Sequence, residues 1–230
     1  MSKRILMIVT SHDRMGDTGK PTGIWAEELA APYWAFRDAG AEVDLASPQG
    51  GPVPLDPGSV KPVGQNEPAV DRFLTDETTQ RLAASTRRVA EVDAAGYDAL
   101  FFPGGHGTMW DLPHDEGVKR AVETAWAAGK VVAAVCHGPA GLVSARTPQG
   151  RSILEGRRVN GFTDAEEHEV GLAQTVPFLL ERRMRELGGL FEHGNKWQAY
   201  AVRDGQLITG QNPQSSALVA RHVLEALGMT

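Results

Sequence analysis

An α/β fold built on a mostly parallel sheet is what this sequence predicts, and three observations predict it. Apolar runs of strand length alternate with helix-patterned stretches from end to end, the mark of successive βα units. The runs are apolar throughout, as in Val131-Val132-Ala133-Ala134-Val135, which fits strands buried on both faces. Two of them stop abruptly at glycine-bearing corners, Pro103-Gly104-Gly105-His106-Gly107 and Cys136-His137-Gly138-Pro139.

Taken in order, residues 4–9 read as the first strand, and residues 24–39 as an amphipathic helix closed by Gly40. Pro32 interrupts that helix and predicts a kink or a late start. Residues 41–47 form the next strand and run into a segment at 48–57 so dense in Pro and Gly that it reads as a shaped loop. A helix is expected over 75–91, a buried strand over 97–102, and a clear helix over 115–128 closed by Gly129. After the strand at 131–135, residues 140–143 can begin a helix. Residues 158–160 suit a short strand, and 164–187 read as mostly helix broken at Pro177. A hairpin over 200–209 turns at Asp204-Gly205, and a last helix spans 215–227.

The 230 residues suit one domain spanning 1–230, with ordinary hydrophobic (41%) and charged (23%) content that argues against disorder. A formal charge of -6 argues against a nucleic-acid surface or an anionic membrane as partner. Arg182, Arg183 and Arg185 are flanked by Glu181 and Glu186 and read as a solvated helix face. A single cysteine excludes an intrachain disulfide and fits a reducing compartment. Lys3 and Arg4 precede an apolar stretch too short for a secretion signal, so a cytoplasmic protein is expected.

Cys136 sits where a strand turns toward a helix. That position would hold a nucleophile at the carboxyl edge of the sheet, with helix N–H groups favouring its thiolate. A buried cysteine that acts as a small hydrophobe is an equal alternative from local sequence. The Gly104-Gly105 corner ends on the same edge and can present N–H groups to an oxyanion, although most such turns are only tight turns. Glu27 and Glu28 lie about 100° apart on a helix, so at most one faces inward; a buried carboxylate beside a thiol could move a proton. Glu166, Glu167, His168 and Glu169 form a second acidic cluster that reads as a solvated face. Its spacing matches no zinc pattern, so no metal is expected. Nor does any glycine motif match a nucleotide fingerprint.

Together, the segments 134–139, 102–107, Gly23 followed by Glu28 and Pro32, and 207–213 resemble the ThiJ/PfpI superfamily over essentially the whole chain. Cys-His-Gly-Pro combined with the long Pro/Gly loop is most similar to its heat-shock-31-type, glyoxalase III and chaperone branch. The resemblance implies a flavodoxin-like three-layer α/β/α sandwich with a cysteine nucleophile elbow. It implies Glu28 as general acid/base, and a Cys136-His137-acid arrangement aligned with Glu167, to which Asp164 and Glu166 lie close. Oxyanion donors would be the backbone N–H groups of Gly105 and His137. It further implies a homodimer, no dissociable cofactor, and a small 2-oxoaldehyde such as methylglyoxal as substrate. The alternatives it carries are a chaperone, a deglycase, a redox sensor, and a cysteine amidase or peptidase. A glutamine amidotransferase fits poorly, because the late His-x-Glu of that group is missing.

Overall fold

The computed structural model describes residues 2–229. Its strands are β1 (Arg4–Ile8), β2 (Glu42–Ser47), β3 (Arg87–Arg88), β4 (Ala99–Phe102), β5 (Val131–Val135), β6 (Arg158–Val159), β7 (Leu190–Phe191), β8 (Ala201–Asp204) and β9 (Leu207–Gly210). Seven of them form one sheet in the order β3-β2-β1-β4-β5-β9-β8. Every pair is parallel except β8 with β9, which make the expected hairpin. The main strands therefore run in flavodoxin-like order, with connections reversing direction between β1 and β4.

The helices are α1 (Ala26–Asp38), α2 (Pro68–Thr75), α3 (Glu77–Ala84), α4 (Thr108–Asp111), α5 (Glu116–Ala127), α6 (Asp164–Glu169), α7 (Leu180–Glu186) and α8 (Ser216–Leu227). Two cores flank the sheet. Ile5, Met7 and Val9 meet α1 and α8 on one side, while Leu6 and Ile8 face the core shared with α4, α5 and α7 on the other. β4 and β5 divide in the same way, which is why their sequences carry no polar alternation.

Several local expectations needed correction. Pro32 lies inside a helix that runs on to Asp38, and the start is the part that shifts, to Ala26. The helix expected over 75–91 stops at Ala84, because Thr86 to Arg88 turn back to the sheet edge: Arg87 and Arg88 pair with β2 and the Thr86 hydroxyl meets that of Ser47 at 2.7 Å. Asp76 caps its first turn by accepting from Thr78 N and Thr79 N. The stretch 164–187 is two short helices joined by irregular chain instead of one interrupted helix. β6 pairs with β7 in a small second sheet that periodicity did not announce. The arginine run on α7 behaves as a solvated face, with Arg185 on Glu181 and Arg183 on Glu186. No helix among the described residues is long and apolar enough to cross a membrane.

Candidate active site

Cys136 follows β5 directly and takes φ = 59°, a left-handed conformation rare for a residue with a Cβ. Its backbone is held at both ends: its N–H donates to Gly210 O at 2.9 Å and its carbonyl accepts from Phe162 N at 2.8 Å. Such a conformation costs on the order of 1–2 kcal/mol and persists because its neighbours over-determine it. The chain then enters a 3₁₀ turn, Gly138–Leu142, where an α-helix was expected. One short 3₁₀ turn has little of the aligned dipole that would favour a thiolate. Consistent with that, burial first and Glu28 second push the Cys136 thiol well above its ordinary value, and the His137 N–H offsets them only in part.

Of the pair on α1, Glu28 is the fully buried member and Glu27 is half-buried. Glu28 Oε2 accepts from Gly104 N at 2.8 Å, while Oε1 is buried without a hydrogen-bond partner. Burial pushes its pKa up to about 8, opposed in part by the thiol and the Gly104 N–H. Thiol and carboxyl share one desolvated space, so ionising either makes ionising the other harder. The approach of these segments depends on glycine. A Cβ on Gly104 would lie 2.6 Å from His137 N and 2.7 Å from Glu28 Oε2, and one on Gly105 (φ = 115°) would lie 2.3 Å from Gly23 O. Among the described residues, the Gly105 and His137 N–H groups donate to no oxygen.

On α6 the two adjacent glutamates separate in role. Glu167 Oε2 lies 2.7 Å from His137 Nε2, and His137 Nδ1 lies 3.5 Å from Cys136 Sγ. The other oxygen of Glu167, Oε1, lies 2.8 Å from His106 Nε2. Burial alone would raise Glu167, but the adjoining imidazoles outweigh it and hold it low. His137 is lowered, by burial first and by His106 next, with Glu167 opposing. Both directions fit an ionised carboxylate beside a neutral His137, with one ring N–H directed at each of its oxygens. His137 then carries its proton on Nε2 and turns a bare Nδ1 to the thiol. Although the ligand atoms of His106, His137 and Glu167 lie within 4.8 Å of one another, a spacing seen at metal centres, each nitrogen faces a carboxylate oxygen at hydrogen-bond length. That is the geometry of a hydrogen-bonded relay.

Glu166 points away from the thiol. Its Oε2 caps α6 with Thr163, and its Oε1 accepts from Trp197 N, Gln211 Nε2 and Asn212 Nδ2 at 2.9–3.1 Å. Asp164 also stays apart, its N–H bonded to Glu181. Glu166→Ala should strand several buried donors and lower stability by on the order of 3 kcal/mol or more. Denaturant unfolding reads this directly, and an unchanged midpoint would contradict it.

Cys136, His137, Glu28 and Gly105 line a cavity of about 90 Å³ whose other walls are Trp25, His106, Phe162, Val170, Trp197 and Pro213. The sequence-expected residues therefore meet at one place. Trp25 was expected beside Glu28, but Phe162, Trp197 and the His106 side chain were missed, since they come from loops whose paths periodicity does not encode. Trp197 carries no local sequence signal; it is held by a left-handed backbone at φ = 60° and by Glu169, which accepts its ring N–H at 2.8 Å. The cluster read as a solvated face thus braces a pocket wall.

The DJ-1/PfpI family model matches residues 22–226. The glutathione-independent glyoxalase HSP31 of Saccharomyces cerevisiae is 32% identical, with 98% of each chain covered. The crystal structure of glyoxalase III from Candida albicans is 30% identical and covers 97% of each chain with a TM-score of 0.87. The Rapid Encystment Protein of Francisella tularensis is 37% identical, covering 98% of this chain and 99% of that one, with a TM-score of 0.93. With the elbow, the sheet order and these matches in agreement, the chain belongs to the DJ-1/PfpI family.

Proposed function

We propose that this protein is a glutathione-independent glyoxalase that converts methylglyoxal, or a similarly small 2-oxoaldehyde, to the 2-hydroxy acid. The observation that carries the reading is one small cavity holding a buried thiol, a carboxyl with pKa pushed up to about 8, and two backbone N–H groups that donate to no oxygen. The names of the curated relatives support the same activity.

In this mechanism Cys136 Sγ adds to the aldehyde carbon as its proton passes to His137 Nδ1, and the new oxyanion takes N–H bonds from Gly105 and His137. Glu167 stabilises the imidazolium that forms. Glu28, as carboxylate, removes the hydrogen on that carbon to give an enediol and returns a proton to the neighbouring carbon. The resulting thioester is cleaved by water, releasing the 2-hydroxy acid and restoring the thiol. Overall, one water is added to one 2-oxoaldehyde, with no electrons gained from outside. This is the chemistry of a lyase of the lactate dehydratase type, and it requires no dissociable cofactor or metal. A homodimer and a cytoplasmic location belong to the same reading.

The cavity also weighs against the rivals. A space of about 90 Å³ has room for few heavy atoms and suits a small dicarbonyl better than a stretch of peptide. Large apolar side chains exposed among the described residues are Val63, Val170 and Leu190, too few for a client-binding patch. In buffer without glutathione, glyoxal and methylglyoxal should turn over. Phenylglyoxal should be poorer by roughly 10-fold or more in kcat/KM, about 1.4 kcal/mol of transition-state energy. Equal rates for all three would contradict turnover inside this cavity, and suppression of client aggregation without turnover would favour the chaperone reading.

A further inference from the structure

We infer that His106 is a positioning residue: by holding Oε1 of Glu167, it aims Oε2 at His137 and so orients that ring with Nδ1 turned to the thiol. The inference rests on the role proposed above for Cys136 and His137, and it extends the site by a side chain from a different strand end. His106 enters from the loop after β4, whereas His137 comes from the elbow after β5 and Glu167 from α6. The His106 and His137 rings stand 4.1 Å apart, centroid to centroid, tilted by 43°.

A carboxylate has two oxygens and no proton to give, so its rotation is set by what donates to each. With only His137 bonded, Glu167 could turn about its last torsion, a broad and weakly restrained one, and carry His137 with it. A second donor at 2.8 Å on the opposite oxygen removes that freedom. The same bond spreads the carboxylate's charge over two imidazoles. A buried histidine alone beside a buried carboxylate is drawn toward a permanent imidazolium, which has no lone pair left for the thiol proton. The titratable groups that face His137 are His106 after β4, Cys136 at the elbow, and Glu166 and Glu167 on α6. Of these, the two glutamates favour protonation of His137, and the bond from His106 to Oε1 shares the charge of the nearer one, Glu167.

Two variants separate this role from simple packing. His106→Phe retains a ring of similar breadth and removes the donor, whereas His106→Gln retains an N–H able to reach Glu167 and removes the ring. An outer partner that fixes an imidazole is worth about 10- to 100-fold in the metal sites where such partners have been removed. His106→Phe should therefore lower kcat with methylglyoxal by about that factor, and His106→Gln should recover most of it. Independently of any substrate, NMR of histidine-labelled protein should show the His137 ring titrating at higher pH in His106→Phe and moving back in His106→Gln. Native kcat together with an unmoved His137 titration in His106→Phe would overturn the inference. So would equal impairment of both variants, since that marks the ring's volume as the need. If the native protein turns over no 2-oxoaldehyde, the glyoxalase reading fails while the His137 titration still decides the role of His106.

Discussion

At pH 9, Glu28→Gln should melt at a higher temperature than the native protein while producing no lactate. Glu28 is fully buried and its pKa is raised from an ordinary 4.5 to about 8, chiefly by burial. Raising a carboxyl's pKa on folding means the folded state prefers the protonated form. The stability linked to that proton is complete below about pH 4.5 and declines as pH climbs through about 8. At about 1.4 kcal/mol per unit, ionising Glu28 destabilises the fold by on the order of 5 kcal/mol at most. Gln carries no charge, and its carbonyl can keep the bond from Gly104 N. Its added N–H₂ takes the place of Oε1, which has no partner, so part of the gain is returned. Near pH 4.5 the advantage should vanish. Melting temperature against pH reads the effect, and a gap independent of pH would contradict a buried, titrating Glu28. Activity is lost because no amide can remove the carbon-bound hydrogen. For the same reason native kcat/KM should rise with pH toward about 8 as the carboxylate form appears.

Cys136→Ala should likewise abolish turnover, for a different reason and with a different thermal signature. Removing the sulfur removes the bond that turns a two-carbon rearrangement into an intramolecular proton transfer beside Glu28. The fold should survive, since the cysteine backbone is held by Gly210 O and Phe162 N irrespective of the side chain. Alanine retains the Cβ and hence the strain at φ = 59°. Cys136→Gly should relieve it and exceed the alanine variant in stability by about 1 kcal/mol, while being equally inactive. Alanine more stable than glycine here would show that the left-handed turn stores no strain.

The strands and the two corners were legible because burial on both faces leaves an unbroken apolar run, and because a parallel strand must leave the sheet abruptly. Cys136 and the Gly104-Gly105 corner could be placed on one edge from that alone. Choosing Glu28 over Glu27, and Glu167 over Asp164 and Glu166, took the family resemblance: neighbours on one helix share composition, and only tertiary packing separates their directions. The hub made by Glu166 was illegible for the same reason. Its partners Trp197, Gln211 and Asn212 lie far along the chain. His106 was hidden by a further circumstance, since it sits in a glycine corner whose backbone explains its presence without reference to the imidazole. The division into α6 and α7 was legible only as a break at Pro177, whereas the chain already leaves the helix at Val170 and resumes it at Leu180.

The most direct measurement of the central claim is lactate formed from methylglyoxal in buffer free of glutathione, by native protein and Cys136→Ala side by side. The expected result is steady lactate production by the native protein, unchanged when glutathione is added, and none above the buffer rate from Cys136→Ala. Sustained turnover by Cys136→Ala, or a native enzyme that works only when glutathione is supplied, would contradict a covalent glyoxalase centred on Cys136.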